Sequence, residues 1–157
     1  LDRRAEYWED GHWKALGRVV KALDDGTYDC GAIEVDAAVP VTRVPIGGTQ
    51  PLKSFPYIDL DRITNKNFES FLGASNRALT GSVTEVVFDD SDVHRIDATP
   101  EADQAPGNNG DSGAPLIIEH NGSKVLAGIF VRLPPGERVM KFFHPTPALN
   151  LMELPIP

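Results

Sequence analysis

Asn109-Gly110-Asp111-Ser112-Gly113-Ala114-Pro115-Leu116-Ile117 sets one serine among small residues and then runs into an apolar segment. A nucleophilic serine needs an exposed Oγ on a tight turn whose preceding amides converge on developing negative charge, and glycine at the adjacent positions permits that backbone shape. Gly110 and Ser112 stand where they can supply those two N–H groups. The plainer alternative is an ordinary Asp-Ser-Gly turn between strands. Downstream, residues 114–119 and 124–132 read as two strands of a hairpin, because Asn121-Gly122 between them suits turn positions with positive φ.

The same alternation of short β-branched and aromatic runs with turn residues extends outward over the chain. It holds 14 glycines and 13 prolines, and most of them punctuate such runs. Further strands are expected over residues 15–23, 27–36, 71–75, 80–88, 93–98 and 138–143. Asp24-Asp25-Gly26 and Asp89-Asp90-Ser91-Asp92 mark two more turns. Residues 39–56 carry four prolines and Gly47-Gly48 with little periodicity, which reads as a connector between two β units. A short closing helix is expected over residues 146–153, after Pro145. Only two of these strands precede the connector, too few to close a barrel.

The serine segment resembles the Gly-Asp-Ser-Gly-Gly-Pro signature of chymotrypsin/trypsin-like serine peptidases, with Ala114 in place of the last glycine. The apolar Ala127-Gly128-Ile129 strand is similar to the one that lines the substrate pocket in that family. Asp29-Cys30-Gly31-Ala32-Ile33-Glu34-Val35 resembles the Asp-x-Ala-x-Ile-x-Leu strand that bears the triad aspartate. Gly73-Ala74-Ser75-Asn76-Arg77-Ala78-Leu79-Thr80-Gly81-Ser82-Val83 is similar to the hairpin opening the second barrel of compact bacterial, plant and viral relatives. The resemblance implies a mostly β, chymotrypsin-like double β-barrel: residues 1–38 the end of the first barrel, 39–56 the connector, 57–157 the second barrel and closing helix. It implies Ser112 as nucleophile, Asp29 as the carboxylate orienting a histidine, and Gly110 with Ser112 as backbone oxyanion donors. Taken alone, Asp29 is a solvated hairpin residue.

The family places its histidine before the aspartate. Only His12 lies there, between Gly11 and Trp13, with barely enough chain for the intervening strands, and it reads as a surface or interface residue sooner than as the catalytic one. His94, His120 and His144 follow Asp29, the wrong order. The missing histidine and the short first barrel share one explanation, an upstream segment or second chain that supplies both. Leu1 would then arise from processing or from an expression boundary. Asp111 is expected to be buried and to need a partner, and the sequence does not name it.

Other properties limit the alternatives. A formal charge of −8 and a pI near 4.9 disfavour a phosphate-tracking surface, so nucleic acid is not an expected partner. The longest apolar run, Val125 to Val131, falls far short of the roughly 20 residues that cross a bilayer, so no membrane partner is expected. The single cysteine, Cys30, allows neither an internal disulfide nor a zinc cage and slightly favours a cytoplasmic location; inside its strand it reads as a small buried residue. Asp89-Asp90-Ser91-Asp92 lacks the glycine and distal glutamate of a calcium loop, and Asn121-Gly122-Ser123 is better explained as a turn than as a glycosylation site. No metal or cofactor is expected.

The expected function is therefore a serine endopeptidase acting on peptide or protein substrates by acyl transfer. The alternative is an inactive, peptidase-like module that binds a protein partner. For specificity, the resemblance places Pro106 where trypsin-like members carry an aspartate. Pro106, Asn109, Phe130, Val131 and Arg132 would line a pocket without negative charge, so cleavage after Lys or Arg is disfavoured.

Overall fold

The computed structural model describes residues 3–24, 29–41, 63–89, 92–120 and 122–153. They are mostly β. Six antiparallel strands close into a barrel in the spatial order 67–72, 77–89, 92–100, 140–143, 123–132 and 115–120, and three more, over 4–9, 12–24 and 29–35, form a separate sheet in chain order.

The three-stranded sheet comprises β1 (Arg4–Glu9), β2 (His12–Asp24) and β3 (Asp29–Val35). β1 is a strand that the sequence reading lacks, so three strands, not two, lie before residue 39. Its signal is the Asp10-Gly11 pair, at φ 52° and 77°, in a two-residue turn between the partners Glu9 and His12. Residues 42–62 hold most of the expected connector and lie outside the described residues, as do Asp25 and Gly26 of the first expected turn and Thr27 and Tyr28 of the strand expected after it.

The barrel strands are β4 (Asn67–Leu72), β5 (Arg77–Asp89), β6 (Asp92–Pro100), β7 (Pro115–His120), β8 (Ser123–Arg132) and β9 (Met140–Phe143). A seven-residue helix, α1 (Pro145–Leu151), follows β9. β4 corrects the strand expected over residues 71–75. Phe68, Ser70 and Leu72 point inward in alternation, Phe71 is 51% exposed, and the chain already turns at Gly73 to Asn76. The core inside the barrel is built from Phe68, Leu72, Leu79, Val83, Ile96, Leu116, Ile118, Phe130, Met140 and Phe142, among others. Every buried apolar side chain among the described residues belongs to positions 63–152, and none to the three-stranded sheet.

Two glycines explain how closely the barrel backbones approach. A Cβ on Gly81 would collide with the Thr99 carbonyl across the β5–β6 ladder, and one on Gly128 would lie 2.8 Å from Phe142 Cβ on β9. Both positions therefore exclude a side chain, which accounts for glycine in otherwise apolar strands.

Candidate active site

The loop between β6 and β7 carries the serine. A short 3-10 turn spans Asn109–Asp111, closed by the Asp111 amide donating to Asn108 O at 2.9 Å. Ser112 follows at φ −54° and ψ 137°, and Gly113 takes φ 94°, a left-handed conformation that favours glycine. The loop is then tied to β8 from both sides: Gly113 N donates to Phe130 O, and Phe130 N to Ala114 O, each at 2.8 Å. Ser112 emerges exposed at this corner, with Gly110 and Ser112 flanking Asp111 on one turn.

Asp111 is buried, 2% exposed, as the sequence reading expects. Its partners, which the sequence did not name, are two. Ser75 Oγ lies 3.2 Å from each carboxylate oxygen, and the Asn108 amide donates to Oδ2 at 3.1 Å. Buried carboxylates need such donors, because stripping water from one without replacement costs several kcal/mol. The signal for Ser75 was present in the quoted hairpin sequence, but the partnership joins residues 36 positions apart and no local pattern encodes it.

The Ser112 hydroxyl donates to Val131 O on β8 at 3.3 Å. The Val131 side chain lines a cavity of about 60 Å³ together with Cys30 and Gly31 of β3, Ile129, Phe143, and His144 with α1 residues. Cys30 and Gly31 directly follow Asp29 in the chain, and Ser112 is not among the residues that line this cavity. Asp29 opens β3 opposite Asp24, and its own side chain lies outside the described residues.

The expected pocket residues divide. Pro106 is half-buried, and its carbonyl accepts from Arg77 Nη2 at 3.0 Å; Asn109 is exposed. Phe130, 1% exposed, is inside the barrel against Phe142 at 5.5 Å between ring centroids, so it belongs to the core and not to a surface wall. It does reach the loop from beneath, since a Cβ on Gly107 would lie 3.1 Å from its ring. Val131 is half-buried. Arg132 is exposed, beyond a strand irregularity between Phe130 and Arg132 that breaks simple alternation.

Of the histidines, His12 is exposed at the β1–β2 turn, and the side chains of His94 and His120 lie outside the described residues. His144 is fully buried after β9. Its Nδ1 accepts from the Thr146 amide at 3.2 Å, which places its neutral-form proton on Nε2, and burial lowers its pKa to about 3. Among the described residues, no cluster of three or more His, Cys, Asp or Glu side chains could hold a metal ion. No helix among them is long and apolar enough to cross a membrane.

Neither protein-family models nor curated protein sequences give a match to this chain.

Proposed function

We propose that this chain carries the nucleophile of a serine endopeptidase with a chymotrypsin-like double β-barrel, of which the six-stranded barrel is the second and the three-stranded sheet part of the first. The observation that carries the reading is the loop itself. A buried aspartate, held by a hydroxyl and an amide, sits between two residues whose N–H groups can face a cleft, and the next side chain is an exposed serine beside β8. An ordinary turn has no need of a buried carboxylate at that position. Ser112 attacks a peptide carbonyl, Gly110 and Ser112 amides stabilise the oxyanion, and water releases the acyl-enzyme. Asp29 orients the imidazole that takes the serine proton. We place that imidazole on an upstream segment or second chain; buried His144, with its pKa lowered to about 3 and its Nδ1 accepting the Thr146 amide, is too weak a base for the role.

The rival reading, an inactive module binding a protein partner, draws on one observation. The described hydrogen bond of the Ser112 hydroxyl is to a carbonyl and not to an imidazole. A fluorophosphonate probe separates the two. We expect Ser112 to label when the upstream segment is present, poorly in the chain alone, and not at all in Ser112→Ala, since a hydroxyl without its base is a weak nucleophile. Absence of labelling in every preparation would favour the inactive module, and equal labelling with and without the upstream segment would show that the base is on this chain.

A further inference from the structure

Residues 106–111 are held on one side by the tip of the β4–β5 hairpin. Arg77 Nη2 binds Pro106 O at the start of the segment. Ala74 lies under Gly110, where an added Cβ would stand 3.3 Å from the alanine methyl. Ser75 meets Asp111 at the end, its Oγ 3.2 Å from both carboxylate oxygens. Among the described residues, Ser75 is the one side-chain donor to that carboxylate, the other bond being the Asn108 amide. A carboxylate can accept about four hydrogen bonds, so this one is sparsely served and depends heavily on each.

We infer that Ser75 is a positioning residue whose hydroxyl, acting through Asp111, fixes the backbone of Gly110 and Ser112. Its catalytic consequence rests on the peptidase reading above, whereas its effect on the loop rests on geometry alone. Without the hydroxyl, a nearly inaccessible carboxylate keeps a single amide bond. The surrounding Gly107-Asn108-Asn109-Gly110 segment is short of side-chain anchors and can relieve the penalty by turning the carboxylate toward water. Gly110 and Ser112 flank Asp111 in the chain and must move with it. A donor displaced from the point where the oxyanion forms stabilises the transition state less, while leaving contacts to the rest of a substrate in place.

Ser75→Ala, Ser75→Cys and Ser75→Thr test this with two measurements. The first is the amide chemical shifts of residues 107–113 in the whole chain. The second is fluorophosphonate inactivation of the protein with its upstream segment, resolved into probe affinity and inactivation rate. We expect Ser75→Ala to move the Gly110 and Ser112 resonances and to slow inactivation on the order of 10- to 100-fold with affinity nearly unchanged. Ser75→Cys, a weaker donor, should fall between, and Ser75→Thr should restore both. If the alanine variant does not fold, the cysteine variant decides. Unmoved Gly110 and Ser112 resonances overturn the inference, as does a shift that threonine fails to reverse or an inactivation rate that ignores the shift. If the parent is never labelled, the peptidase reading falls instead, and the amide shifts alone decide whether Ser75 positions the loop.

Discussion

His144 shows how one buried side chain ties stability to pH. Burial holds its folded-state pKa near 3, below the value of 6.5 for a solvated imidazole. Between those two values the unfolded chain carries the additional proton. The stability this site contributes is therefore complete above about pH 6.5 and is lost as the pH falls toward 3, at up to about 1.4 kcal/mol per pH unit. His144→Asn removes the titration and keeps an acceptor near the Nδ1 position facing the Thr146 amide. We expect urea denaturation of the parent to weaken relative to this variant steadily below pH 6.5, with a constant offset above pH 7. Parallel curves between pH 4 and 7 would mean that the imidazole is not buried in neutral form. Nothing local signals this, because a histidine after a strand and before Pro145 reads equally well as solvated. The loop at Ser112 was legible for the opposite reason: its turn is written in contiguous small residues, whereas the support of Asp111 by Ser75 comes from a distant hairpin.

At the level of elements, two seams join strands distant in the chain, β4 with β7 and β6 with β9, and the second carries a buried ionic cluster. Asp97, 3% exposed, accepts from Arg95 Nε at 2.8 Å and from Lys141 Nζ at 2.9 Å, and Asp97 and Lys141 are direct cross-strand partners. The two cations share one carboxylate, so the three groups are unequal. Asp97→Asn strands both cations and should cost about 3–5 kcal/mol, toward the lower end because Arg95 keeps partial access to water. Lys141→Met leaves the Arg95 pair intact and should cost clearly less. Urea midpoints of the two variants test the order, and a lysine variant as damaged as the asparagine one would show that the seam depends on packing by the lysine stem. The Arg95–Asp97 pair is local, two residues apart on β6, but its link to Lys141 is not readable locally, since β6 and β9 are joined only in three dimensions. The strands themselves were mostly legible from period-2 apolar runs between turn residues. β1 was not, because Arg-Ala-Glu-Tyr-Trp-Glu carries charge at three of its six positions and buries no side chain fully. β4 was placed too late, because Phe71 looks like a core residue and in fact faces outward.

Across the whole molecule, the two sheets differ in what supports them. The barrel owns the apolar core, while the three-stranded sheet exposes Ile33, Val35, Trp8 and Trp13, the tryptophans at 59% and 64% and edge to face at 5.2 Å. Three strands without a buried face are marginal on their own. The sheet meets the barrel near Cys30 and Gly31, at the cavity shared with Val131. Both tryptophans of the chain sit on this sheet, so their emission reports on it and not on the barrel. For the chain alone we expect water-exposed emission and a tryptophan transition at lower urea than the loss of amide protection at Leu79, Phe130 and Phe142 in the barrel core. On the double-barrel reading proposed above, an added upstream segment should cover the indoles, shift emission to the blue and bring the two transitions together. Coincident transitions in the chain alone would show that the contact at β3 is enough to stabilise the sheet.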